Sequence, residues 1–126
     1  MRRVLALALL LSGLVAVPAL AGGTGSFQRY TFSSAEGSRT YKVYVPAAWH
    51  GQPLPLVVEL HGCSSDADLE STASRLNAMA DKRSVLVAYP EETDKGCWRW
   101  YDPSQQIRDK GEPAIIAGIT TAVQRR

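Results

Sequence analysis

The sequence predicts an α/β fold in which an antiparallel hairpin precedes a parallel β-α-β unit and a further helix. Three observations support this class. Two segments rich in aromatic and β-branched residues flank a turn, two short runs are apolar almost throughout, and residues at helical spacing lie between and after those runs. The length of 126 residues allows one small domain at most.

The hairpin is predicted from Phe27–Ser33 and Arg39–Pro46, with the turn supplied by the residues SAEGS around Gly37. The second segment alternates, so its side chains face the two sides of a sheet in turn. One side receives Tyr41, Val43 and Val45, and the other receives Thr40, Lys42 and Tyr44.

The β-α-β unit is predicted from two apolar runs with a helical pattern between them. Leu54–Leu60 and Ser84–Pro90 are typical of strands covered on both faces, although the first run contains an unexpected glutamate. Asp66–Arg83 is predicted to be a helix capped by Asp66 or Ser65. Its apolar face comprises Leu69, Ala73, Leu76, Met79 and Ala80. This order implies a parallel pair with a right-handed crossover.

A second helix is predicted over Glu112–Arg126. Pro113 suits its first turn, and Arg125 and Arg126 suit the negative end of its dipole. The apolar stripe comprises Ile115, Ile116, Ile119 and Val123.

The first 21 residues predict a secretory signal peptide. Arg2 and Arg3 precede the apolar run Val4–Val17, and an A-x-A pattern predicts cleavage near Ala21. The run is shorter than the roughly 20 residues of a membrane span, so an anchor is the weaker interpretation. We expect a signal peptide at 1–21 and a domain at 22–126. The protein would be secreted, or periplasmic, with no membrane contact after cleavage.

The charge balance excludes an electrostatic nucleic-acid binder. Without Arg2 and Arg3, the 14 basic residues fall to 12, against 12 acidic ones. No basic stripe or basic helix is present in the sequence, so no nucleic-acid partner is expected.

Cys63 and Cys97 are the only cysteines, and in an exported chain two thiols most simply form one disulfide. The closed loop of about 35 residues would stabilise the fold by roughly 3–4 kcal/mol in the chain-entropy model. A metal site that adds His50 and His61 is the competing interpretation, but the spacing matches no zinc pattern.

The end of the first apolar run carries the candidate chemistry. In an open α/β sheet, ligands bind beyond the carboxyl ends of the strands, and His61-Gly62-Cys63 lies at such an end, directly before a helix. A glycine here allows a sharp turn, after which the amide of Cys63 or Ser64 can serve as an oxyanion-hole donor. The alternative is an ordinary strand-to-helix turn with a hydrogen-bonded histidine.

The segment Pro90–Gly111 is long enough for a binding loop, and it carries Trp98, Trp100 and Tyr101 next to Cys97. Aromatic faces beside a cleft suit apolar polymers or phenolic rings. The alternative is that these rings pack over the disulfide and the sheet.

The sequence resembles the N-terminal part of secreted polyhydroxybutyrate depolymerase and feruloyl-esterase-like α/β-hydrolases. The resemblance runs from about Arg39 to the end and is strongest in LHGC, LVAYPE, CWRWYDP and GEPAIIAGI. It implies serine-dependent hydrolysis of carboxylic esters, on polyhydroxyalkanoate or feruloyl esters, without a cofactor or metal. It also implies an oxyanion-hole role for the backbone of Cys63 and a Cys63–Cys97 disulfide. The implied substrate-binding positions are His61, Gly62, Ser64, Trp98 and Trp100.

The sequence departs from that family in one respect. Such enzymes carry a serine on a G-x-S-x-G elbow, followed by an acid and a histidine, and no G-x-S-x-G occurs here. The expected fold is therefore the N-terminal portion of an α/β-hydrolase, truncated before the elbow and inactive alone. Its last apolar strand, Ser84–Pro90, is expected to leave an open edge. The other hypotheses are a non-catalytic secreted binding module using the Trp98–Tyr101 surface, and a small structural disulfide domain.

Overall fold

A computed structural model describes residues 23–92 and 96–126, so the predicted signal peptide at 1–21 lies outside the described residues. A four-stranded mixed sheet is covered by helices on both faces. The elements are β1 (Ser26–Ser34), β2 (Gly37–Val45), β3 (Leu56–Val58), α1 (Ala67–Ala73), α2 (Leu76–Arg83), β4 (Leu86–Pro90), a 3₁₀-helix (Pro103–Gln106) and α3 (Gly111–Gln124). The α/β class is confirmed.

The hairpin forms as predicted. β1 and β2 pair antiparallel from Ser26↔Val45 to Ser34↔Gly37, and Gly37 takes a positive φ of 133° at the turn. Tyr41 and Val43 pack on the side of α3, whereas Tyr44 packs on the side of α1 and α2. The alternation of β2 therefore divides its side chains between two hydrophobic clusters.

The parallel pair also forms, but the predicted position of the open edge is wrong. β4 lies inside the sheet, with β2 antiparallel on one side and β3 parallel on the other. The order β1-β2-β4-β3 makes β3 the outer strand at that end of the described sheet. The central position of β4 explains why its residues Val87, Ala88 and Tyr89 are fully buried, while the residues of β3 are half-buried.

The single helix predicted over Asp66–Arg83 is instead two helices. Asp66 caps α1 by accepting a hydrogen bond from the Leu69 amide at 2.7 Å. The chain breaks before α2 at Arg75, which takes a left-handed conformation with φ 59°. The break redirects α2 so that Ala80 packs into the cluster formed by Tyr44, Val87 and Tyr89, and it leaves Leu69 of the predicted apolar face exposed.

The last helix matches its predicted stripe. Ile115, Ile119 and Val123 of α3 are buried against Tyr41 and Val43, whereas Ile116 is half-buried. The amides of Gly111 and Glu112 donate to the side chains of Glu36 and Gln105, at 2.8 and 2.9 Å. Within residues 23–92 and 96–126, no helix is long and apolar enough to cross a membrane.

Candidate active site

A short turn connects the end of β3 to α1. The Glu59 amide donates to the Ala88 carbonyl, which extends the pairing of β3 beyond Val58. Ser64 takes the left-handed conformation, with φ 61°. The prediction that Gly62 provides the necessary backbone freedom is wrong, because Gly62 has no positive φ and a Cβ there would meet no atom within 4 Å. The glycine leaves open space beside the turn instead.

The two predicted oxyanion donors differ in their availability. The Ser64 amide donates to the Gly96 carbonyl at 2.9 Å, so it is already used within the protein. The Ser65 amide likewise donates to Gly62, at 3.2 Å. The Cys63 amide has no hydrogen-bond partner in the described part of the chain, and Cys63 is exposed. Of the two predicted donors, the Cys63 amide is therefore the one that remains available to an external acceptor.

The disulfide between Cys63 and Cys97 is present, with Cα atoms 4.2 Å apart. This distance is slightly below the expected range of about 4.4–6.8 Å. Because the bridge uses both thiols, neither cysteine is a metal ligand. Among residues 23–92 and 96–126, no group of three or more histidine, cysteine, aspartate or glutamate side chains could hold a metal ion.

His61 is buried, with 3% of its surface exposed. Its Nε2 accepts a hydrogen bond from the Glu92 amide at 3.0 Å, which requires the tautomer with a proton on Nδ1. Nδ1 lies 2.9 Å from the Gly62 carbonyl and donates to it. Both ring nitrogens are therefore hydrogen-bonded to backbone groups. This geometry fits the interpretation of His61 as a hydrogen-bonded residue of an ordinary strand-to-helix turn.

The two predicted tryptophans occupy different environments. Trp98 is buried and its ring centre lies 5.6 Å from that of His61; its Nε1 has no acceptor within the described residues. Trp100 is 69% exposed and contacts the exposed Tyr101 edge-to-face. The packing interpretation therefore applies to Trp98, and the exposed aromatic surface is reduced to Trp100 and Tyr101.

Sequence reasoning missed the acidic pair that follows β4. Glu91 Oε2 accepts a hydrogen bond from the Ala67 amide at 2.9 Å, at the start of α1. The carboxylate of Glu92 is fully buried and forms an ion pair with Arg39 at 2.8 Å. The sequence does contain a signal for this pair, namely two adjacent acidic residues directly after a buried strand. A buried carboxylate requires a partner, so such a pair predicts contacts with a cation or with backbone amides.

The loop that carries the tryptophans is anchored to α3. The backbone amide of Arg99 donates to the buried carboxylate of Glu112 at 2.8 Å, and its Nε lies 3.4 Å from the same side chain. Further along, Asp102 accepts from both the hydroxyl and the amide of Ser104, which lowers the pKa of Asp102. The aromatic loop is thus fixed at the amino end of α3.

Glu59, the unexpected glutamate of the first apolar run, lies near a second carboxyl group. Burial raises the pKa of Glu59, and the charge of Glu70 in α1, together with a hydrogen bond between the two side chains, raises it further. The hydrogen-bond partner that a carboxyl group needs at a strand end is therefore another carboxyl group, that of Glu70.

A groove of about 490 Å³ lies at the opposite end of the parallel strands. Leu54, before β3, and Leu86, at the start of β4, form part of its wall. Its other lining residues include Trp49, Gln52, Val123 and Arg126. Since ligands of α/β sheets bind at the carboxyl ends of the strands, this groove does not belong to the site around Cys63.

Comparison with known proteins identifies the family from residue 39 onwards. Residues 39–126 match the family described as esterase PHB depolymerase. The chain belongs to this family. It is 31% identical over 91 residues to poly(3-hydroxyalkanoate) depolymerase C of Paucimonas lemoignei, which covers 68% of this chain. The match covers 21% of the depolymerase, so the chain spans about a fifth of that relative.

The solved structures support the fold assignment. S-formylglutathione hydrolase FrmB from Staphylococcus aureus superposes with a TM-score of 0.56 at 16% sequence identity. The superposition covers 82% of this chain and 42% of the hydrolase. At this identity the likeness concerns the fold alone, and it agrees with the arrangement of a portion of an α/β-hydrolase.

Proposed function

We propose that the chain provides the oxyanion hole of a secreted, serine-type carboxylic ester hydrolase. The observation that carries the proposal is the Cys63 amide, which has no partner in the described part of the chain and lies beyond the carboxyl end of β3. An amide held in a fixed turn can stabilise the negative charge that develops on a carbonyl oxygen during ester cleavage.

The remaining catalytic groups would come from a segment that carries G-x-S-x-G. An oxyanion hole acts only after a nucleophile has attacked, and this sequence contains no elbow serine. Ser64 and Ser65 lie in the turn between β3 and α1 that carries the Cys63 amide. His61 is buried, and both of its ring nitrogens are hydrogen-bonded to backbone groups. We therefore propose that His61 supports the turn and that the 126 residues alone turn over no ester.

The proposed substrate is an aliphatic polyester of the polyhydroxyalkanoate type. The support is family membership together with the relative named as a poly(3-hydroxyalkanoate) depolymerase. Gly62, Ser64 and Trp100 are exposed and would face the polymer, while Trp98 would support the loop from below. A polymer too large to enter a cell requires secretion, which agrees with the leader predicted at 1–21. Feruloyl esters are the alternative substrates that the sequence resemblance implies.

The experiment compares two proteins on a short chromogenic ester and on a poly(3-hydroxybutyrate) film. One is the chain without its first 21 residues, and the other is a longer version that continues through a downstream segment encoding G-x-S-x-G. We expect turnover only from the longer protein. Turnover by the shorter chain that is lost in Ser64→Ala or Ser65→Ala would contradict the proposal.

The role of the amide is tested in the longer protein with a matched pair of variants. Cys63→Pro and Cys63→Ser both remove the disulfide, but only proline also removes the N–H donor. We expect kcat of the proline variant to fall roughly 10²–10³-fold below that of the serine variant, the usual effect of losing one oxyanion donor. Equal kcat values would exclude the Cys63 amide from the reaction.

A further inference from the structure

The turn that carries Cys63 is held at both ends by the two residues that follow β4. At its far end, the Glu91 carboxylate accepts a hydrogen bond from the Ala67 amide at 2.9 Å. At its near end, the Glu92 amide donates to Nε2 of His61 at 3.0 Å. The dipeptide Glu91-Glu92, directly after β4, therefore contacts both ends of the segment 61–67.

One of these glutamates forms an ion pair with a cation of β2. Arg39 contacts the Glu92 carboxylate through Nε and Nη2, at 3.0 and 2.8 Å, and only 12% of the arginine side chain is exposed. Burial lowers the pKa of Lys42, and the charge of Glu91 partly opposes this effect. Lys42 also forms an ion pair with Asp68 in α1. The Arg39 cation therefore compensates the charge of the buried Glu92 carboxylate.

The middle of the turn is fixed by different contacts. The disulfide joins Cys63 to Cys97, and the Ser64 amide donates to the Gly96 carbonyl. These contacts link the turn to the aromatic loop, whereas Glu91 and Glu92 link it to the sheet. A donor that stabilises an oxyanion must be held within about half an ångström of its working position, so contacts to the rigid sheet contribute to its placement.

We propose that Glu91 and Glu92 are positioning residues for the Cys63 amide, with the Glu92 carboxylate held by Arg39 of β2. This inference rests on the proposed function of that amide. The two glutamates touch no substrate; they act by holding His61 and the start of α1. The segment 61–67 is thereby placed by the two residues that follow β4 and by Arg39 of β2, in addition to the disulfide.

Hydrogen exchange of single amides, followed by NMR with the disulfide intact, tests the positioning. The reporters are the Ser64 amide, which donates to the Gly96 carbonyl, and the Ser65 amide, which donates to the Gly62 carbonyl. Their exchange is measured relative to amides in the centre of β2. In Glu91→Ala we expect the reporters to exchange roughly tenfold faster, the effect of losing a typical helix-start cap. Glu91→Gln keeps an acceptor oxygen and should restore most of the protection. Unchanged protection in Glu91→Ala would overturn the proposal.

Glu36→Ala is the matched control, because Glu36 accepts from the amide of Gly111 at the start of α3 as Glu91 does at α1. It should destabilise the protein without changing the relative exchange of Ser64 and Ser65. Equal acceleration in the two variants would mean a general loss of stability and would also overturn the proposal. Glu92→Gln, which removes the charge facing Arg39, should accelerate the same reporters.

The catalytic consequence is measured in the longer protein. We expect Glu91→Ala to lower kcat about tenfold with KM nearly unchanged, since a displaced oxyanion donor affects the transition state and not substrate binding. Glu36→Ala should keep the kcat of the parent protein. If the exchange results hold but the longer protein hydrolyses no ester, the proposed function fails and the structural coupling stands. If hydrolysis occurs and exchange is unaffected, the positioning proposal alone fails.

Discussion

His61 and Glu59 lie two residues apart at the end of β3, and the protein accommodates them by different means. The imidazole of His61 forms hydrogen bonds with two backbone groups, so its burial costs little. The carboxyl of Glu59 is hydrogen-bonded to the side chain of Glu70, and burial together with the Glu70 charge favours its protonated form. At the residue scale, the strand end therefore combines a histidine whose ring nitrogens are hydrogen-bonded with a carboxyl group whose charged form is disfavoured.

This difference predicts a specific pH dependence. The pKa of Glu59 is raised above its usual 4.5 in the folded protein. The folded chain thus keeps a proton that the unfolded chain has already lost. The stabilisation from Glu59 is complete below pH 4.5 and disappears as the pH rises through the raised value. Glu59→Gln should therefore gain stability relative to the parent as the pH approaches neutrality.

Urea midpoints measured from below pH 4.5 to neutral pH would show this as a difference that grows with pH. Glu70→Gln should act in the same direction, because it removes the neighbouring charge, and the double variant should gain less than the sum of the two. A constant difference between Glu59→Gln and the parent across this range would show that the carboxyl pair does not affect stability.

At the scale of elements, the features set by neighbouring residues could be predicted and those set by distant contacts could not. The alternation in β2 and the turn at Gly37 define the hairpin locally. The break at Arg75 has no such local signal, because it follows from how α2 packs. Tyr44 of β2 donates to Asp81 at 2.7 Å, and Ala80 fills the space beside β4. A helical periodicity cannot encode such a redirection.

The site shows the same division. The sequence places a candidate donor after the strand because apolar residues end at His61, and this depends only on local order. The sequence predicts the parallel pairing of β3 and β4. The contacts of Glu91 with Ala67 and of Glu92 with His61 join residues 24 and 31 positions apart, and no local pattern specifies them. The hairpin, the parallel pair and the last helix were therefore predictable, whereas the long-range contacts that fix the turn were not.

The packing of α3 gives a prediction at the same scale. Ile119 is completely buried among Tyr41, Val43 and Ala88, whereas Ile107 in the loop before α3 is 48% exposed. Ile119→Ala should lower the free energy of unfolding by about 2–5 kcal/mol through lost apolar contact and an unfilled cavity. Ile107→Ala, the same chemical change at the surface, should stay within about 0.5 kcal/mol. Chemical denaturation of the two variants provides the comparison, and similar losses would contradict the assigned core.

At the scale of the whole molecule, β3 is the outer strand of the described sheet on the side opposite the hairpin. It is short and apolar, and its residues Leu56–Val58 are half-buried. Natural proteins usually protect such edges with charges, prolines or a covering element, since an exposed edge can pair with another chain. Leu60, just beyond the strand, adds an apolar side chain that is 39% exposed. The chain by itself is therefore expected to self-associate through this edge.

A charge placed at the end of this edge should oppose that association. Leu60→Lys adds a cation beside β3, and the desolvation of that cation in a paired edge would weaken contact between two copies. Leu69→Lys makes the same substitution on α1, at a leucine that is 57% exposed and belongs to a helix, not to the strand. Sedimentation velocity over a range of protein concentrations should show less association for Leu60→Lys and parent-like association for Leu69→Lys. If both variants reduce association equally, general net charge and not the β3 edge controls it, because each adds one positive charge to the same chain.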